Sequence, residues 1–158
     1  MKIIAISGFI AAAVIIGILL AKHQSRYRRT RLSTLFTGRT PLTGEQLYTQ
    51  YFQALGVRPD IPEKVRRILE EKVDADLSML KDTDDFSKEL SFFWEMDSMA
   101  DVEAVIAFEK EFNIKISDEE SQNMKTFRDM VMTIDRKIKG VQQSGPGYPP
   151  QGVGSPDP

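Results

Sequence analysis

Apolar positions along the chain fall into two regimes. Residues 3–21, IIAISGFIAAAVIIGILLA, are continuously apolar, with Ser7 the one hydrogen-bonding side chain. As a helix rising about 1.5 Å per residue they reach roughly 28 Å, near the thickness of a bilayer core, and a helix satisfies its own backbone groups in lipid. Beyond residue 42 the apolar residues recur every three or four positions instead, the period of amphipathic helices. Thr43, with Gln46 three residues on, opens a helix bearing Leu47, Tyr48, Tyr51, Phe52 and Leu55, and Gly56 stops it. The aromatic stripe on that helix packs on the domain or, alternatively, docks a partner. A second helix follows Asp60, admits Pro62 in its first turn, and lines Ile61, Val65, Ile68, Leu69 and Val73 on one face. A long loop from Asp74 to Asp97 should fold Leu77, Met79, Leu80, Phe86 and Leu90 onto the core.

A third helix starts at Asp97-Ser98 and continues through ADVEAVIAFEKEF, with Met99, Val102, Val105, Ile106, Phe108 and Phe112 as its apolar side. Ser117 and Glu120 form a capping box for a short turn, and Thr126 caps a last helix bearing Phe127, Met130, Val131, Ile134 and Ile138, which Gly140 ends. No segment alternates as a strand would. The predicted fold is all-α, a small helical bundle with a transmembrane helix before it. The expected divisions are a transmembrane helix at 3–21, a basic juxtamembrane tether at 22–42, an accessory amphipathic helix at 43–57, a helical domain at 58–140, and a disordered tail at 141–158. The final 19 residues hold five glycines and five prolines, too little apolar surface for a core. Pro146 and Pro149 make a minimal P-x-x-P, read as part of a spacer.

Charge changes the picture at the N-terminal end. Residues 1–40 carry seven basic residues and no acid, whereas residues 41–158 carry 14 basic residues against 23 acids, a net of −9. The apolar run exceeds a usual signal core, no small-x-small site follows it, and Lys22, Arg26, Arg28, Arg29 and Arg31 flank it, which favours an uncleaved anchor over a signal peptide. The positive-inside bias then places a single-pass chain with its C-terminal domain in the cytoplasm. The basic stretch suits anionic headgroups, and the acidic domain suits basic protein partners and repels nucleic acid.

Several chemistries are excluded. The chain has no cysteine, and its one histidine, His23, lies outside the predicted domain, so thiolate chemistry and a serine–histidine–acid triad have no residues to build on. Asp82, Asp84 and Asp85 invite a calcium loop, but Phe86 and Ser87 stand where that spacing needs an oxygen ligand and a glycine; they are expected to serve as loop and cap residues. A lysine- or carboxylate-based hydrolase remains as an alternative with no acid pair to locate it.

Ser98 is the residue with a distinctive setting. A hydroxyl at a helix start is exposed, and a phosphoryl group on it would lie near unpaired N–H groups and the positive end of the helix dipole. The stretch DSMADVEAVIAFEKEFNIKISDEE, preceded by IPEKVRRILEEKV and DDFSKEL and followed by a helix after a threonine, resembles the acyl carrier protein family from about Ile61 to Ile138. The approach SFFWEM is about four residues longer than the family's, lacks its glycine two residues before the aspartate, and Met99 replaces the usual leucine. In that family the matching serine carries 4′-phosphopantetheine as a phosphodiester, which marks Ser98 as the attachment point. A phosphopantetheinyl transferase installs the arm from coenzyme A with magnesium, and the arm's thiol holds acyl or aminoacyl thioesters. Acyl-transferring or acyl-activating enzymes with basic docking patches read the acidic helix; the corresponding positions are Asp97, Asp101, Glu103 and Glu109. Phe92, Phe93 and Trp94 pack the core or wall a cavity sheltering an acyl chain. On this resemblance the chain is a membrane-tethered carrier and not itself an enzyme. The competing expectation is an unmodified adaptor in which Ser98 only caps the helix and the acidic face docks a basic partner.

Overall fold

The structure is a computed structural model that describes residue 16, residues 26–95 and residues 99–143. The predicted span at 3–21 lies outside the described residues except for Ile16, which is helical and exposed, and the tail from residue 144 lies outside them entirely. Among the described residues no helix is long and apolar enough to cross a membrane. The fold is all-α. Residues 26–35 form α1. Then come α2 (Gly44–Tyr51) with a 3-10 turn at Gln53–Leu55, α3 (Ile61–Val73), α4 (Phe92–Glu95), α5 (Ala100–Phe112), α6 (Asp118–Asn123) and α7 (Phe127–Gln143). An isolated antiparallel bridge pairs Asp85 with Thr126.

α3 occupies the centre, packed against α2, α5 and α7. Its five expected apolar residues, Ile61, Val65, Ile68, Leu69 and Val73, are all buried. So are the five on α7. The local stop and start signals act as their chemistry requires. Thr43 and Gln46 exchange both hydrogen bonds of a capping box, as do Ser117 and Glu120. Thr126 and Asp129 do the same at the start of α7. Gly56 closes the 3-10 turn at φ 67°, left-handed backbone that a glycine adopts without Cβ strain.

Four features depart from the sequence pattern. The segment expected to be a tether contains α1, and its Leu32 and Phe36 are buried in the same core as α3. The sparse apolar content of 22–42 hid this, because two side chains anchor the helix and polar bonds do the rest. Arg28 is buried and donates to the Val73 carbonyl at 2.7 Å, placing a cation at the negative end of α3. Arg39 makes a two-pronged pair with Asp84 at 2.5 and 3.0 Å. The stretch at 43–57 likewise belongs to the central core, through Leu47, Phe52 and Val57, and Arg66 on α3 donates to the Leu42 carbonyl at 2.7 Å. Its stripe packs inward, apart from exposed Leu55.

The long loop is the second departure. It carries α4, and its acids are structural. Asp82 pairs with Arg128 of α7, Asp84 pairs with Arg39 and accepts from the Lys81 N–H, and Asp85 accepts from Ser87. All three are buried. Third, α5 begins at Ala100 with Met99 before it, while Asp97 and Ser98, where the helix was expected to start, lie outside the described residues. Fourth, Gly140 does not end the last helix, which continues to Gln143; a single glycine costs about 1 kcal/mol in a helix interior, too little to outweigh the flanking turns.

If α1 belongs to the core, truncating it destabilises the whole domain. Phe36→Ala should lower unfolding free energy by about 3–5 kcal/mol, read by urea titration of the fluorescence of Trp94, the chain's one tryptophan. A tether would leave the midpoint unmoved. Glu120 supplies a pH signature. Its carboxylate meets Lys137 at 2.7 Å and caps the Ser117 N–H, and these hold its pKa down from 4.5 to about 2. A depressed carboxylate stabilises the fold fully above its unfolded pKa, so this contribution should fade as pH falls from about 4.5 toward about 2. Glu120→Gln should flatten that part of a stability–pH profile.

Candidate functional site

The site is assembled at the N-terminal end of α5. Met96, Asp97 and Ser98 lie outside the described residues, so the expected site residues Asp97 and Ser98 are located only by their neighbours in the chain. On one side α4 ends at Glu95; on the other Met99 is exposed and Ala100 begins the helix, buried. Met99 places no side-chain cap on α5. In the first turn, the Val102 N–H is taken by the carboxylate of Asp101 at 2.8 Å. A helix start beside an exposed residue is compatible with a phosphoryl group carried there.

α5 has two unlike apolar faces. Ala100, Ala104 and Phe108, at four-residue spacing, are buried, and the two alanines let the helix approach its neighbours closely. Met99, Val102 and Ile106 are 55%, 46% and 57% exposed. At about 100° per residue Val102 and Ile106 fall on the side away from Ala104. The sequence pattern had assigned these three to the core. Their exposure corrects that, and the signal was present: apolar residues occur on too many sides of this helix for one packing face.

The acids separate as well. Asp101 and Glu103 are exposed beside the apolar stripe, and Glu103 lies 3.9 Å from the ammonium of Lys72. Glu109 is turned into the connection after α5. It accepts the Ile116 N–H at 2.8 Å and meets Lys115 at 3.3 Å, and that backbone hydrogen bond foremost holds its carboxyl below the usual range. Glu109 therefore shapes the loop, while Asp101 and Glu103 share the exposed face with Val102 and Ile106.

Behind α5 is a cavity of about 200 Å³. Phe86, Trp94, Ala104, Phe108 and Met124 wall it, and Asp101 reaches its edge. The aromatic insertion divides between the core and a cavity wall. Phe92 and Phe93 are fully buried with ring centroids 4.4 Å apart, and Trp94, 5.6 Å from the Phe86 ring, faces the cavity. Among the described residues no group of three or more histidines or acids is placed to hold a metal ion.

The chain is similar to curated acyl carrier proteins. It is 38% identical to that of Caulobacter vibrioides over 78 residues, 49% of this chain and 95% of the relative. It is 35% identical to that of Phenylobacterium zucineum over 79 residues, 50% of this chain and 95% of the relative. With that of Thermosynechococcus vestitus it shares 32% over 79 residues, 50% of this chain and 93% of the relative. No protein-family model matches the chain.

The two faces of α5 predict opposite responses to one substitution. Ile106→Asp should leave unfolding free energy within about 0.5 kcal/mol of the parent, as exposed changes do. Ala104→Asp should cost more than about 3 kcal/mol, because it buries an unpaired carboxylate. Equal losses in urea titrations would contradict the two-faced helix.

Proposed function

The chain belongs to the acyl carrier protein family, and from that premise we propose that it carries acyl or aminoacyl groups as thioesters on a 4′-phosphopantetheine arm at Ser98. It is a carrier, a substrate for enzymes rather than an enzyme itself. The observation that carries the proposal is the sequence DSM immediately before α5, whose first turn exposes Asp101, Val102 and Glu103. The arm supplies the thiol; the chain's own residues present it and shelter its cargo. The first turn of α5 offers positive dipole and N–H groups to a phosphodiester. The cavity walled by Phe86, Trp94 and Phe108 gives an apolar chain a place out of water, where each buried methylene contributes about 0.8 kcal/mol.

The exposed face of α5 is the recognition surface in this proposal. Met99, Val102 and Ile106 supply an apolar centre, and Asp101 and Glu103 supply negative charge at its edge. That combination suits a transferase or acyl-handling enzyme with an apolar patch rimmed by Lys and Arg. The apolar run at 3–21 is proposed to hold the domain at a bilayer, with the domain on the cytoplasmic side. Membrane attachment would raise the effective concentration of cargo near membrane enzymes.

Mass analysis of the intact chain after co-expression with a broad-specificity transferase tests the attachment. The parent should gain one phosphopantetheinyl group and Ser98→Ala none, with the two proteins unfolding alike. A parent that stays unmodified while a control carrier is loaded would point instead to an adaptor that uses α5 without an arm.

A further inference from the structure

α1 and the C-terminal end of α3 do not close on one another. Between them is an open cleft of about 620 Å³, lined by Leu32 and Phe36 from α1 and by Met79 from the following loop. This volume is in the range that receives small-molecule ligands. The cleft depends on α1, which precedes the stretch resembling the carrier family, so it is a property of this chain's own N-terminal addition.

Its two walls carry opposite charge. Arg29 and Arg39 stand on the side of α1 and the residues after it, and Glu70, Asp74 and Asp76 stand on the α3 side. Arg29 and Asp74 line the same space, yet neither makes an ion pair with any described residue. One oxygen of Glu70 accepts the Leu77 N–H at 3.0 Å, which fixes that carboxylate at the wall. Arg28 is held by the Val73 carbonyl, and Arg39, which also lines the cleft, is paired with Asp84, so Arg29 is the cation left to meet a ligand there.

We propose that this cleft binds a membrane phospholipid with an ammonium headgroup, its phosphate toward Arg29, its ammonium toward Asp74 and Glu70, and its first acyl methylenes against Leu32, Phe36 and Met79. The argument is one of complementarity. A purely anionic lipid meets three carboxylates, and a simple cation leaves Arg29 and the apolar lining unused. A molecule with both signs a few ångströms apart, joined to an aliphatic chain, answers all three features. The proposal rests on the membrane attachment above, because α1 follows residues 3–21 in the chain and would bring the cleft to the headgroup layer.

The full chain, reconstituted in nanodiscs of equal phosphatidylethanolamine and phosphatidylglycerol and released into native mass spectrometry, provides the test. The parent should retain one phosphatidylethanolamine in preference to phosphatidylglycerol. Arg29→Gln and Asp74→Asn should each reduce that retention about tenfold. Asparagine tolerates the left-handed backbone at position 74 (φ 48°), and neither substitution removes an ion pair, so both variants should match the parent's urea midpoint. Ser33→Trp, at the rim, should abolish retention by filling the cleft. Retention of the two lipids in the proportion of the disc, or retention indifferent to all three variants, overturns the lipid site while leaving attachment intact. A chain that fails to enter the discs overturns both.

Discussion

The buried carboxylates of the loop between α3 and α4 are the constraint on which the rest of the molecule depends. The 18 residues from 74 to 91 have to be held in one conformation, and apolar contacts alone do not fix a backbone direction. Asp82 reaches Arg128 at the start of α7, and the Arg128 N–H donates to the Asp82 carbonyl at 2.7 Å. Asp84 reaches Arg39 after α1, while its carbonyl accepts from Phe127. The Phe86 N–H donates to the Lys125 carbonyl. The loop is thus pinned to the two ends of the chain's order, and Phe86, Leu90, Phe92 and Phe93 are delivered to the core together. Buried ion pairs add little net stability over apolar replacements, but losing one partner is severe, so such pairs act to specify a single arrangement here. That arrangement aims α4, and therefore the approach to Ser98.

The N-terminal elements turn a carrier-like bundle into a larger unit. α1 and α2 share one core with α3; Arg28 ties α1 to the C-terminal end of α3, and Arg66 ties the middle of α3 to Leu42 just before α2. A flexible leash would let a carrier sample all orientations. Two buried apolar side chains and a buried guanidinium instead fix this segment to the domain's core.

α5 shows how one helix serves two masters. Its small residues face the bundle, where they admit close packing and leave room for the adjoining cavity. Its larger apolar residues face water, an arrangement that costs solubility and is retained on surfaces that meet partners. Glu109 shows the reverse economy: it lies among the acids of this helix, yet its hydrogen bonds are spent on the turn that starts the next segment.

Local chemistry was legible before any coordinates. Thr43 with Gln46, Ser117 with Glu120, and the apolar faces of α3 and α7 involve residues three or four apart, and helical geometry brings such residues together wherever the chain is. The family resemblance was legible for the same reason, since it lies in one continuous stretch. The pairing of Arg39 with Asp84, of Arg128 with Asp82, and of Arg28 with Val73 was not, because 45 or 46 residues separate the partners and many acids could have served. The outward turn of Val102 and Ile106 was hidden likewise: periodicity marks which residues share a face, but only the packing of α5 on α3 and α7 chose the alanine face for the interior. The sequence by itself determined α2, α3, α6 and α7, the capping boxes and the candidate serine, because those depend on near neighbours. Tertiary structure alone decided that the basic segment is a core helix and which acids remain for a partner, because burial is a property of the assembled whole.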